Sequence, residues 1–173
     1  MAIQTNRLTL APATVELARA EINNGFEFKR LLGASVPKNW PPEALTEALP
    51  LFLKLIEAAP DKVGWFNWYA LAQADGQSPP ILIGGCGFFG PPCNGAVQIG
   101  YSVLSEFQGQ GFATEMVCGI VKWAMAQPTV VRIIAETEWE NPASVRVLEK
   151  VGFTATGSSA DMRGTRFELL AEN

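Results

Sequence analysis

The chain has 173 residues, 48% of them hydrophobic, which suits one domain over 1–173 whose core buries about 70% of the surface its unfolded form exposes. Its 13 basic against 17 acidic residues give a formal net charge of -4, which removes the average attraction to a polyanionic backbone and argues against a nucleic-acid partner. Histidine is absent, so a Ser-His-Asp or Cys-His triad, an imidazole base and a His-ligated zinc site are excluded.

Arg7-Leu8-Thr9-Leu10 alternates polar and apolar and predicts a first strand. A turn at Pro12 leads into a helix from about Thr14 to Asn23. Gly25 punctuates, Phe26 to Leu32 reads as a further turn or two of helix, and Gly33 to Pro42 is a proline-marked loop carrying Trp40. Leu45, Leu49, Phe52, Leu53 and Ile56 stand at helical spacing, so a helix is expected over about Glu43 to Ala58, with Pro42 near its first position and a kink or break at Pro50. The period then becomes extended. Trp65 to Leu71, Ile81 to Phe89 and Ala96 to Leu104, separated by Asp75-Gly76 and by Pro91 to Gly95, predict an antiparallel meander. Helical spacing returns from Gly111 to Ala126 and stops at Gln127-Pro128. Thr129 to Thr137 reads as a strand, Pro142 to Lys150 as a short helix, and Phe153 to Gly157 with Thr165 to Leu170 as a closing pair. Strand, helix and strand from Ala96 to Thr137 form the one crossover that sets two strands parallel.

Cys86, Cys93 and Cys118 form an odd set without a CxxC spacing, so neither a disulfide framework nor a tetrathiolate metal site is expected and reduced thiols in the cytoplasm fit. Charges from Arg7 to Arg30 leave no apolar stretch of signal-peptide length. From Gly76 to Ser105 no charge stands, but prolines and glycines break the run, which argues for buried sheet and against a membrane span.

The chemistry-bearing stretch is Gln108-Gly109-Gln110-Gly111-Phe112-Ala113-Thr114, between a predicted strand and a predicted helix. Glycines there let backbone N–H groups turn toward a ligand, and the helix start adds unpaired donors and a positive dipole end, so an anion is expected. No Gly-Lys-Ser/Thr follows, and Thr114 holds the last glycine position of GxGxxG, which removes support for ATP or a dinucleotide. Asn141-Pro142-Ala143-Ser144, ahead of Val145 to Gly152, is good helix punctuation, and for Asn141 a pure capping role stands beside a functional one.

Together, Gln108-x-x-Gly111-x-Ala113 and Asn141-x-x-Ser144-x-x-x-Leu148-Glu149-Lys150-x-Gly152-Phe153, with a strand between, resemble the GNAT superfamily of acetyl-CoA-dependent N-acetyltransferases, and within it the RimJ/RimL-like group. The match is strongest over about Ile81 to Gly157, and Thr5-Asn6-Arg7-Leu8-Thr9-Leu10 also suits that group. The resemblance implies an α+β fold: a mixed, mostly antiparallel twisted sheet flanked by helices, with a splayed parallel strand pair. It implies acetyl-CoA as cosubstrate, no metal, and a primary amine as acceptor: a peptide N-terminus, an amino acid or a small amine. It puts the pyrophosphate on the amides of Gln108 to Thr114, the pantetheine arm beside the main chain of Val103, and Asn141 at the cofactor. Many relatives carry Arg where Gln108 stands, and Lys122, Arg146 and Lys150 are the alternative sources of the missing charge.

For the reaction, a carboxylate must replace histidine as base. Glu136 is the candidate, with Glu138 in reserve on the same strand face; the competing reading of Glu136 is an exposed carboxylate or an Arg partner. Many relatives present a Tyr to the leaving group at the position of Leu148, which cannot donate, so Ser144 is the candidate acid, against a plain helix-start role. Tyr101 reads as core, on one alternating face with Val97, Ile99 and Val103. Trp40, Trp65 and Trp68 are candidates for the acceptor wall, against ordinary sheet packing. Cys93 reads as a loop thiol. The alternative function is a non-catalytic acyl-CoA sensor, and a homodimer is open on base rates.

Overall fold

A computed structural model describes residues 1–73 and 78–171, without the side chains of Glu43 and Ala44; the Asp75-Gly76 turn lies outside the described residues. Two short strands open the chain, β1 (Ile3–Gln4) and β2 (Leu8–Pro12), followed by helices α1 (Val15–Asn23) and α2 (Gly25–Leu32). Thr14 caps α1 by accepting from the Leu17 amide at 3.3 Å, and Asn24 caps α2 by accepting from Glu27 at 3.1 Å. The helix expected over Glu43 to Ala58 is two helices, α3 (Glu43–Thr46) and α4 (Leu49–Ala58). Pro50 falls in the first turn of α4, where its missing N–H costs nothing, and Pro42 caps α3 rather than entering it.

The meander follows as β3 (Asn67–Ala72), β4 (Ile81–Phe88) and β5 (Ala96–Val103), then α5 (Phe112–Met125), β6 (Arg132–Glu138), α6 (Pro142–Val151), β7 (Thr154–Ser158) and β8 (Gly164–Leu170). Among the described residues these strands make one eight-stranded sheet in the order β1-β2-β3-β4-β5-β6-β8-β7. Every pairing is antiparallel except β5 with β6, the pair joined by the α5 crossover. The fold is therefore mixed α+β, as expected.

Each sheet face carries its own core. On one, Met116, Val117, Ile120, Val121 and Ala124 of α5 and Leu148 of α6 pack on Leu8, Leu10, Ile83, Val97 and Ile99. On the other, Phe28, Leu32 and Ile56 pack on Tyr69, Leu71 and Leu82. Each fully buried side chain of this size contributes about 1.5–3 kcal/mol. Strand alternation assigns the faces: in β3, Trp68 and Ala70 point toward α5, and Tyr69 and Leu71 away from it. Among the described residues no helix is long and apolar enough to cross a membrane.

Candidate active site

The parallel ladder is short. Ala96 to Ile99 pairs with Arg132 to Ala135, and there it ends, although β5 runs on to Val103 and β6 to Glu138. Beyond Ile99 each strand keeps only its outer partner, and a cleft of about 390 Å3 lies beside this far end of β5, walled by Tyr101 to Val103, the start of α5 and α6. The cleft collects Val103, Gln108, Gly109, Gly111, Phe112, Ala113, Thr114, Asn141 and Ser144 from the residues singled out in the sequence. Gln110, Glu136, Glu138, Trp40, Trp65 and Trp68 do not line it.

At one end of the cleft the turn is made by Gly109 (φ 73°) and Gly111 (φ 82°), both left-handed, a conformation that costs other residues about 1–2 kcal/mol. No side chain caps α5, so the amides of its first turn face the cleft without a side-chain acceptor. The turn is fastened from outside by a residue to which the sequence reading gave no role. Arg7 donates to the Gln110 carbonyl at 3.0 Å, pairs with Glu115 at 2.7 Å and lies over the Phe112 ring at 4.2 Å. Glu115 also accepts from Thr5 Oγ1 at 2.6 Å and from the Arg7 amide at 2.7 Å. Burial opposes its charge, but the bonds from Thr5 and Arg7 prevail and hold its carboxyl below the usual value. The only sequence signal was the Thr5-to-Leu10 opening.

Gln108 turns its amide inward, donating from Nε2 to the Val103 carbonyl at 2.8 Å. It thus engages the main-chain acceptor that strand addition would use. Of the three cations that could replace an arginine at 108, Arg146 and Lys150 line the cleft, whereas Lys122 borders an adjoining hollow that shares Gly111, Thr114 and Lys150 with it.

α6 supplies the other bank. Asn141 caps it, its Oδ1 accepting from the Ser144 amide at 3.0 Å, and Gly152 ends it in the left-handed conformation. Ser144 Oγ lies 2.7 Å from the Tyr101 hydroxyl, which also donates to the Ser144 carbonyl at 3.2 Å. The core reading of Tyr101 holds for its ring, which packs against the core, and its hydroxyl in addition meets Ser144 at the cleft. Burial raises the phenol's pKa more than the Ser144 bond lowers it, so the proton is retained.

Glu136 and Glu138 project to the sheet face away from α5 by their two-residue period. Glu136 accepts from the Ala160 amide at 3.2 Å and faces Arg166 at 3.7 Å; Glu138 is exposed. Trp68 is wholly buried, donates to the Gly64 carbonyl at 2.8 Å and packs edge-on against Trp123, which leaves no surface for an acceptor. Trp65 stacks in the same cluster, 4.8 Å from Trp123 and 5.5 Å from Phe88. Trp40 instead belongs to a network on the opposite face: its Nε1 donates to Glu21 at 2.8 Å, and the other oxygen of Glu21 accepts from Tyr69 at 2.7 Å. Burial raises the Glu21 carboxyl's pKa, against the two hydrogen bonds that lower it.

The cleft thus joins a glycine turn at a helix start, an interrupted parallel ladder and a hydroxyl pair. The sequence profile of the acetyltransferase (GNAT) domain matches residues 7–154, and the chain belongs to that family. It is an acyltransferase, and acetyl transfer is its general chemistry. It is 28% identical over 162 residues to the uncharacterized N-acetyltransferase YjdG of Bacillus subtilis, covering 93% of this chain and 94% of that one. Its fold matches a GNAT-family acetyltransferase from Bacillus anthracis (TM-score 0.64, 20% identity, 100% of both chains). It also matches RimL, an alpha-N-protein acetyltransferase of a ribosomal protein, in complex with coenzyme A (TM-score 0.63, 18% identity, 98% of both chains).

Proposed function

We propose that the protein transfers an acetyl group from acetyl-CoA directly to a primary amine, without a covalent enzyme intermediate. The observation that carries this reading is the cleft beside the end of β5 that has left the parallel ladder, which the glycine turn and the Tyr101–Ser144 pair both line. The residues present fit a diphosphate: two left-handed glycines, uncapped amides at the head of α5, and Arg146 and Lys150 nearby. Acetyl-CoA, when bound, supplies a thioester open to attack by an amine.

In this reading the amides of Gly111 to Thr114 hold the phosphates, and Gln108 releases the Val103 carbonyl so that Val103 can bond the carrier's amide arm. Tyr101 keeps its proton at neutral pH and donates it through Ser144 Oγ toward the departing sulfur. That pair supplies the donor that Leu148 cannot, and so favours turnover over a sensor role. Glu136, with Glu138 behind it, takes the amine's proton through water from the acceptor-side face. The acceptor class includes a peptide N-terminus and a small amine, and three free cysteines suit a reducing cytoplasm.

Calorimetry with coenzyme A and thiol release from acetyl-CoA test the reading. Ser144→Ala should lower kcat by about ten- to a thousandfold, roughly 1.4–4 kcal/mol. Tyr101→Phe should act in the same direction, and unchanged turnover in both would return the pair to structure. Glu136→Gln should depress the rate most at low pH, and an unaltered pH–rate profile removes Glu136 as the base.

A further inference from the structure

Behind Tyr101 and Ser102, which also line the cofactor cleft, lies a second cavity of about 200 Å3. It reaches Gly85 and Gly87 of β4, where β3 runs too close for a Cβ at Gly87, and Gly100 of β5. A Cβ at Gly100 would stand 3.4 Å from the Phe89 ring. Phe89 and Phe52, with ring centroids 6.1 Å apart, and Leu45 supply apolar walls. Among the described residues that line it none is charged; Asn67, Ser102 and Tyr101 are the polar ones.

We propose that this cavity receives the carbon frame of the acceptor, and that the acceptor is a primary amine bearing one compact apolar group, a ring or a branched aliphatic chain. The proposal rests on the transferase reading above. The cavity's size is close to the roughly 150 Å3 in which an apolar pocket holds benzene. The described residues that line the cavity include no carboxylate, so a second cation on the carbon frame would lose its solvation there without a partner. The same absence penalises a polyamine or a lysine-rich segment, each of which would bring a second cation. Glu21 borders an adjoining crevice too narrow for water, and both its oxygens already accept from Trp40 and Tyr69, so it offers no site for that second charge.

The test measures binding to the intact protein saturated with coenzyme A, by calorimetry, alongside turnover with acetyl-CoA. The probes are 2-phenylethylamine, a phenylalanine-initiated tetrapeptide, spermidine and a lysine-initiated tetrapeptide. One or both phenyl-bearing probes should bind at least about tenfold tighter than the two polycations, the scale of discrimination an apolar pocket gives. Which of the two binds more tightly tells a free amine from a peptide terminus. Gly100→Leu should abolish the preference with the coenzyme A Kd unchanged. Phe52→Ala, which only enlarges the cavity, should shift it toward bulkier amines and serves if Gly100→Leu does not fold. Polycations binding as tightly as the phenyl probes, or no binding of either phenyl probe while coenzyme A still binds, overturns the acceptor class and leaves the transferase reading standing. Absence of coenzyme A binding overturns both.

Discussion

On the α5–α6 face the cleft is built around main chain: the glycine turn, the end of β5 at Val103 and a helix start, with Arg7 holding the turn from outside. On the α1–α4 face the second cavity is shaped by side chains from α3, α4, β3 and the end of β4, around strands kept bare by glycine. A backbone site depends on where the chain turns and tolerates changes of side chain; a side-chain site depends on what each segment happens to carry. Changes of acceptor are therefore expected to accumulate on the second face while the first stays constant.

The sharpest way to break this comparison is Gly111→Val. Gly111 stands at φ 82°, a conformation that strains a β-branched residue and so distorts the turn that carries the amides. Coenzyme A affinity should fall by about a hundredfold, near 3 kcal/mol by calorimetry. Next comes Glu21→Ala on the other face, which leaves Trp40 Nε1 and Tyr69 OH without their acceptor. It should lower the unfolding free energy by about 2 kcal/mol in urea titrations with the coenzyme A Kd unmoved, and a weakened Kd would contradict the separation of the two faces.

The smallest effect is one of sign. The Glu115 carboxyl is held below its ordinary value of 4.5, so its contribution is present above that pH and is lost as pH falls through the folded value. The Glu21 carboxyl is raised above 4.5, so its proton-linked contribution is present below that pH and is lost as pH rises through the folded value. Unfolding free energies measured against pH should give wild-type-minus-variant differences of opposite slope for Glu115→Gln and Glu21→Gln. Slopes of the same sign would show that one of the two environments is misread.

The elements bounded by proline and glycine were legible because those residues act locally: Pro50 divides α3 from α4, Gly111 opens α5 and Gly152 closes α6. β1 was missed because two residues are too few to display a period. The Tyr101–Ser144 pair joins residues 43 positions apart, and Glu21 meets Tyr69 across 48, so neither contact leaves a trace in local spacing. For Tyr101 there is a further reason: alternation reports which face a ring occupies, not where its hydroxyl ends. Trp65 and Trp68 carried no local mark to separate a wall of a ligand site from a stack on Trp123.

The parting of β5 from β6 leaves a rim of peptide groups without strand partners inside the sheet, and such a rim is open to pairing with a foreign strand. Gln108 blunts it by occupying the Val103 carbonyl with its own amide. A longer, charged side chain at that position would favour phosphate but leave the carbonyl open to a neighbouring molecule. Gln108 thus closes, with its own side chain, a backbone acceptor that the end of the ladder leaves without a strand partner.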